Sequence, residues 1–196
     1  MNAIVMMDYD YCIGINGDQV IHIRDDLKRF KHLTIGKTIV YGRKTLETFP
    51  NKQPLPKRNN IIISKSMNKY DALNYDANTI IVDNIEEIIM LPKYIRSNDI
   101  FIIGGESIYK ALFPWIDHVY MTFLYGKMQN YYRTIHGEDV RIDSIAMFPD
   151  FTTYNKPEKF GILSPDFTLI NHEENIVKCK ELEDKIRISY NEYVRF

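Results

Sequence analysis

The chain has 196 residues, 25 Lys and Arg against 26 Asp and Glu, and is 45% hydrophobic. That length suits a single domain and that apolar fraction can bury a core, while a net charge of -1 argues against a nucleic-acid partner and an acidic disordered tail. The longest apolar run, residues 3–7, falls far short of the roughly 20 residues of a membrane helix, so no membrane partner is expected.

Residues 3–7, 38–41, 60–64, 79–82 and 100–103 are nearly continuous in Ile and Val and read as strands buried on both faces. Between them, residues 25–33, 44–48, 85–90 and 106–113 carry helical spacing or capping residues. This alternation predicts the α/β class, a central, mostly parallel sheet with helices on both faces. Residues 117–125 read as a further strand and 126–146 as a polar stretch without a clear period. Residues 167–172 and 186–195 alternate like antiparallel strands, which predicts an antiparallel C-terminal edge strand. No repeat or linker breaks the chain, so residues 1–196 read as one domain with peripheral insertions near 126–146 and 175–185.

Met1-Asn2-Ala3-Ile4 lacks the basic and long apolar stretches of a secretory signal. Cys12 and Cys179 lie far apart and form no CxxC, which speaks against disulfides or zinc and for a reducing, cytoplasmic setting. The five histidines show no metal-ligand spacing, so no metal is expected.

Chemistry is expected at four places. Asp26, Phe30 and Leu33 share one helical face, so Asp26 lies on or beside the apolar stripe. Either Asp25 and Asp26 simply serve the helix dipole, or Asp26 is a partly buried carboxylate offered to a cationic or amidine-like ligand edge. Gly42-Arg43-Lys44-Thr45 opens a helix directly after a strand, where N–H groups, cations and a hydroxyl suit a phosphate; an ordinary solvated turn has the same pattern. It is no Walker loop, because the only Gly-Lys-Thr, at 36–38, has Lys31 where the first glycine belongs. Gly104-Gly105-Glu106-Ser107-Ile108-Tyr109 puts paired glycines at the carboxyl end of a buried strand, where open α/β sheets bind ligands, though close helix–strand packing also calls for glycine. Residues 11–23, punctuated by Gly14 and Gly17, read as a binding loop or lid.

Taken in order, Ile13-Gly14-Ile15-Asn16-Gly17, Asp25-Asp26-Leu27-Lys28-Arg29-Phe30, Gly42-Arg43-Lys44-Thr45, Pro54-Leu55-Pro56-Lys57-Arg58-Asn59, Ile103-Gly104-Gly105-Glu106-Ser107-Ile108-Tyr109 and Tyr120-Met121-Thr122 resemble the dihydrofolate reductase family. The resemblance runs to about residue 125 and returns at Phe148-Pro149-Asp150-Phe151. It implies a dihydrofolate reductase-like fold and NADPH-dependent reduction of 7,8-dihydrofolate to tetrahydrofolate, an oxidoreductase activity with hydride transfer to pterin C6 and protonation at N5. Asp26 then matches the catalytic acid that hydrogen-bonds the pterin's N3 and 2-amino group, and Thr122 the threonine that bonds it. Leu27, Phe30, Phe49, Leu55 and Ile103 match substrate contacts, and Arg58 the arginine that holds the glutamate α-carboxylate. For the cofactor, Ile13 and Gly14 match loop contacts, Gly42, Arg43, Lys44 and Thr45 the phosphate-binding helix start, and Ser64 and Lys65 the neighbourhood of the 2′-phosphate. Gly104 and Gly105 match a cis-linked pair beside the nicotinamide and pyrophosphate, followed by Glu106, Ser107, Ile108 and Tyr109. A monomer is the family default.

The chain departs from the family at Val20-Ile21-His22-Ile23-Arg24, where most relatives carry a Pro-Trp pair whose indole helps fix a water, and at Asp83, where some carry Lys. Two other readings share the fold: a riboflavin-pathway reductase of a ribosyl-aminopyrimidine phosphate, and a non-catalytic structural protein. Asp26 with Phe30 and Arg58 favours folate.

Overall fold

The structure is a computed structural model and describes residues 1–75, 78–149, 167–182 and 184–195. Its elements are β1 (Asn2–Met7), β2 (Cys12–Ile15), α1 (Arg24–Thr34), β3 (Thr38–Gly42), α2 (Arg43–Thr48), β4 (Asn59–Ile63), β5 (Thr79–Val82), α3 (Ile85–Met90), β6 (Ile100–Gly104), α4 (Glu106–Leu112), β7 (His118–Leu124), α5 (Met128–His136), β8 (Ile145–Met147), β9 (Phe167–Cys179) and β10 (Asp184–Arg195).

An eight-stranded sheet runs in the order β5-β4-β3-β6-β1-β7-β10-β9. Strands β5, β4, β3, β6, β1 and β7 are mutually parallel, and both of its faces are covered, which explains the unbroken Ile and Val runs. Neighbouring residues serve opposite cores: Ala3, Val5, Val40, Ile61, Ile100 and Ile102 pack in one cluster, and Ile4, Ile39, Tyr41, Ile62 and Phe101 in the other. Full burial of each Val, Ile or Phe side chain among them is worth about 1.5–3 kcal/mol, so a one-residue slip of register would be strongly opposed.

β10 is antiparallel to both β7 and β9, so the antiparallel strand lies one place in from the edge, which is β9. The short turn between β9 and β10 brings the two in as a hairpin. β10 buries Ile186 and Ile188, whereas much of β9 faces solvent.

Two stretches carry more structure than the sequence pattern indicates. Residues 11–23 contain β2, which pairs with β8 in a small second sheet. Residues 126–146 contain α5, whose Met128, Tyr131, Tyr132 and Ile135 pack against a cluster that includes Met6, Cys12, Ile15, Ile21 and Leu124. Its apolar stripe has the helical spacing 128, 131, 132, 135, but tyrosines at the middle positions conceal it. Asp8 Oδ2 accepts a 2.7 Å hydrogen bond from Met128 N and fixes the start of α5. The segment 175–185 continues the β9–β10 hairpin, with Val177, Cys179 and Ile186 in the same cluster.

Phe148 is buried with its ring 4.7 Å from that of Tyr109, while Asp150 and Phe151 of the family-like segment lie outside the described residues. Among the described residues no helix is long and apolar enough to cross a membrane.

Candidate active site

The helix α1 separates its two acids. Its N-cap, Ile23, has no side-chain acceptor to offer, and Asp25 pairs with Lys28 at 2.8 Å on the exposed side. Asp26, about 100° further round, points at the sheet and accepts a hydrogen bond from Thr122 Oγ1 of β7. Thr122 is only 1% exposed. Burial pushes the Asp26 carboxyl above its ordinary value, opposed by the Thr122 hydrogen bond and by the positive charge of Arg29. Asp26 is thus the partly buried carboxylate of the two sequence readings, rather than a cap.

Arg29 is a neighbour that sequence reasoning missed. Its guanidinium carbon lies 4.9 Å from the centre of the Tyr190 ring and 5.7 Å from that of Tyr120. Tyr190 stands directly opposite Thr122 across the β7–β10 pairing, and Glu192 opposite Tyr120. An arginine three residues after the candidate acid was the available signal, since that spacing places both on one helix face.

The expected substrate residues gather at one rim. Phe30, Phe49, Leu55 and Ile103 are half-buried against the cluster of Ile4, Tyr41 and Phe101, with the Phe49 and Tyr41 rings 5.1 Å apart. Leu27 is 46% exposed and stands outside that rim. Arg58 is buried: its Nε donates to Thr34 Oγ1 and its Nη1 to the Pro56 carbonyl, both at 2.9 Å, and its guanidinium carbon lies 5.5 Å from the Phe30 ring centre. An arginine fixed through two donors keeps a planar fork in place for an anion. A cleft of about 550 Å³, lined partly by Pro54, Pro56, Lys57 and Arg58, opens beside it.

The expected cofactor residues converge from two helix starts. β3 and β6 are parallel neighbours with Tyr41 beside Gly104, so α2 and α4 begin at the same end of the sheet. A Cβ on Gly42 would lie 3.2 Å from Ile108 Cγ1, and one on Gly105 would lie 3.5 Å from Thr45 Oγ1. Gly104 and Gly105 are joined by a cis peptide, and Gly104 has φ +118° with the Tyr109 ring 3.3 Å from where a Cβ would stand. Neither helix start has a side-chain cap, which leaves first-turn N–H groups for an anion.

Of the individual side chains there, Lys44 is exposed and forms no ion pair among the described residues, whereas Arg43 is paired with Glu47. Glu106 pairs with Lys110 at 2.5 Å, and Ser107 is exposed. Ile108 and Tyr109 are buried, and Tyr109 Oη donates to the Ile4 carbonyl at 2.6 Å. Ser64 is turned inward, its Oγ accepting from Ser66 N and Met67 N at 3.2 and 3.1 Å, which leaves Lys65 as the exposed member of that pair. Ile13 is half-buried in β2, and Gly14 must lack a Cβ because the Asp18 carbonyl oxygen would be 2.6 Å away.

Where relatives carry tryptophan, Ile21 is fully buried among Val20 and Ile23 and offers no side-chain N–H. The backbone N–H of the next residue, His22, donates to Glu181 Oε1 at 3.2 Å, tying the loop before α1 to the tip of the β9–β10 hairpin.

A family model described as dihydrofolate reductase matches residues 1–139. The dihydrofolate reductase of Staphylococcus aureus (strain MSSA476) is 30% identical over 129 residues, covering 66% of this chain and 74% of that protein. That of Bacillus subtilis (strain 168) is 31% identical over 129 residues, covering 66% of this chain and 71% of that protein. Among solved structures, the dihydrofolate reductase from Enterococcus faecalis complexed with NADP(H) and RAB-propyl superposes with a TM-score of 0.67 at 24% identity, covering 99% of this chain and 95% of that one. The match spans both the Asp26 helix and the paired glycines of the sheet's carboxyl end, and on it this chain belongs to the dihydrofolate reductase family.

Proposed function

We propose that this chain reduces 7,8-dihydrofolate to 5,6,7,8-tetrahydrofolate with NADPH, and that it does so as a cytoplasmic, monomeric, single-domain enzyme. The observation that carries the reading is the partly buried Asp26 carboxylate, held by Thr122 at a half-buried aromatic rim, with Arg58 fixed beside that rim. A flat ring with an amidine edge and an anionic tail matches those three features in order.

The residues at the sheet's carboxyl end fit a dinucleotide. Uncapped helix starts lie side by side because Gly42 packs closely on Ile108 and Gly105 on Thr45, and Lys44 and Lys65 stand exposed after β3 and β4 at the same end of the sheet. Gly42 to Thr45 and Gly104 to Ser107 would hold the phosphates through backbone N–H groups, and Lys44 and Lys65 would favour the 2′-phosphorylated form. When bound, NADPH supplies the hydride for C6.

What the protein does itself is orient and polarise. Asp26 accepts hydrogen bonds from the pterin's N3 and 2-amino group, fixing the ring so that C6 faces the nicotinamide pocket. The same carboxylate draws positive charge onto the ring and so favours a proton at N5. Phe30, Phe49, Leu55 and Ile103 exclude water from the ring and its benzoyl arm, and Arg58 takes the α-carboxylate. The buried Ile108 and Tyr109 shape the floor beneath the paired glycines rather than touching phosphate through their side chains.

Steady-state oxidation of NADPH in the presence of dihydrofolate, with and without a diaminopyrimidine antifolate, tests this. Dihydrofolate-dependent turnover that the antifolate blocks is expected. Turnover only with a ribosyl-aminopyrimidine phosphate, or NADPH binding without any turnover, would overturn it.

A further inference from the structure

Arg29 is an unusual group to find beside the candidate acid. It follows Asp26 by one helical turn and is clamped over the rings of Tyr120 and Tyr190; it feels the charges of Asp26 and Glu192, yet among the described residues it closes no ion pair with either. Among the described residues its Nη1 is buried with no hydrogen-bond partner, and the Tyr190 hydroxyl is likewise buried and unpartnered. Guanidinium stays charged in a protein even where burial works against it, so this charge persists across the working pH range. A buried donor without a partner is costly, and an arginine retained only for packing would sit where its donors were used.

We propose that Arg29 is a positioning residue for the reduction: held by the Tyr120 and Tyr190 rings, it is a fixed counter-charge that keeps the Asp26 carboxylate ionised to receive the pterin. The assignment to the pterin rests on the reading of function above; the electrostatic link between Arg29 and Asp26 does not.

Other groups facing this cluster act in both directions. On β7, Thr122 donates to Asp26 and so also favours its ionised form, and His118 stacks on Tyr120 with ring centres 4.2 Å apart. On β10, Glu192 lies 4.0 Å from His118 Nε2 and its negative charge competes for Arg29. Asp25 and, from β9, Glu173 act on Tyr190, while Tyr109 of α4 feels Asp26. Arg29 is the one permanent cation in this set. Nothing else named here replaces its effect on Asp26 when it is removed.

The test is a carboxyl 13C titration of Asp26 in the free protein, assigned by its absence in Asp26→Asn and repeated in Arg29→Gln, Arg29→Met and Arg29→Lys. The midpoint is expected to rise by about one unit in Arg29→Gln and Arg29→Met, and to stay within about 0.3 unit of wild type in Arg29→Lys. The acid limb of kcat/KM for dihydrofolate is expected to move with it. An unmoved midpoint in the two uncharged variants, whichever of them folds, overturns the proposal. A moved midpoint with no accompanying shift of the acid limb overturns the assignment to the reaction. Absence of any dihydrofolate turnover in wild type sinks the functional reading, and is distinguished by the titration, which needs no substrate.

Discussion

Thr122 Oγ1 donates to Asp26 Oδ1 and thereby couples the first turn of α1 to the middle of β7, 96 residues further along the chain. The bond offsets only part of the cost of burying this carboxylate, and the remaining burial cost has a consequence for stability. The folded-state pKa of Asp26 is raised, so the native protein holds that proton more tightly than the unfolded chain does. Stability therefore falls as pH rises from the ordinary carboxylate value of 3.8 through the raised native value, and the cost of burying the charge is fully present at neutral pH.

Asp26→Asn removes that cost while keeping an acceptor for Thr122. Its thermal midpoint at pH 7 is expected to equal or exceed that of wild type, each kcal/mol of relieved penalty adding roughly 2–4 °C at this chain length. Turnover near neutral pH should fall by about 10²–10⁴-fold. NADPH binding should change little. Calorimetry, steady-state kinetics and cofactor fluorescence titration check the three in turn, and a wild-type rate in this variant would remove Asp26 from the site.

Arg58 presents a separable case, because its side-chain hydrogen bonds go to Thr34 and the Pro56 carbonyl, while the ring-binding Phe30 meets it through a ring face alone. Arg58→Gln is expected to raise KM for dihydrofolate by about 10–100-fold, in line with loss of a charge-assisted hydrogen bond worth about 1.5–3 kcal/mol. KM for dihydropteroate, which lacks the glutamate, should stay within about twofold of wild type. Comparing the two substrates isolates the carboxylate contact from any change in ring binding. Thr34→Val, which frees Arg58 Nε without removing the cation, should show the same selectivity more weakly.

The parts of the molecule legible in the sequence are those whose pattern is set locally. Strands β1, β3, β4, β5 and β6 are recognisable because both faces of the sheet are covered over most of their length, so most of their positions are apolar. Asp26 stands out because a carboxylate on an apolar helical face needs a reason. α5 was hidden because its stripe uses Tyr131 and Tyr132, residues whose apolar bodies pack while their hydroxyls read as polar. Arg29 was hidden for a different reason: one cation on a helix resembles any solvated surface charge until Tyr120 and Tyr190 arrive from β7 and β10 to cover it. Long-range pairing of that kind leaves no local periodicity to detect.

Asn16 makes four side-chain hydrogen bonds, one to α5 and three to the segment beyond it: Nδ2 donates to Tyr132 Oη at 3.0 Å and to the Arg141 carbonyl at 2.9 Å, and Oδ1 accepts from Asp143 N at 2.8 Å and Ser144 N at 3.1 Å. These bonds pin the β2–α1 loop, so Asn16→Ala is expected to free it at a cost of about 1–3 kcal/mol, reduced from the full sum because the site is exposed to water. Faster amide exchange at Asp143 and Ser144, with core amides of β1 unchanged, would register the release. Equal exchange in the two proteins would show that the backbone pairing of β2 with β8 suffices to hold the loop.

Ile21 is the position where relatives carry tryptophan, and restoring the indole is the obvious repair to attempt. The structure argues that it would fail. Ile21 is 0% exposed within a cluster that includes Val20, Ile23, Cys12 and Leu124, so the larger ring has no vacant volume to enter. Overpacking a filled core costs about 1–3 kcal/mol, and the backbone shift that relieves it would reach the neighbouring His22, whose N–H is bonded to Glu181. Ile21→Trp is therefore expected to lower the denaturant midpoint and to leave kcat for dihydrofolate no higher than wild type. Ile21→Val, which removes a single methylene, should cost about 0.5–1.5 kcal/mol with turnover preserved. A tryptophan variant that gained both stability and rate would mean that this loop has an indole-sized vacancy after all, and that the segment before α1 packs differently from the arrangement seen here.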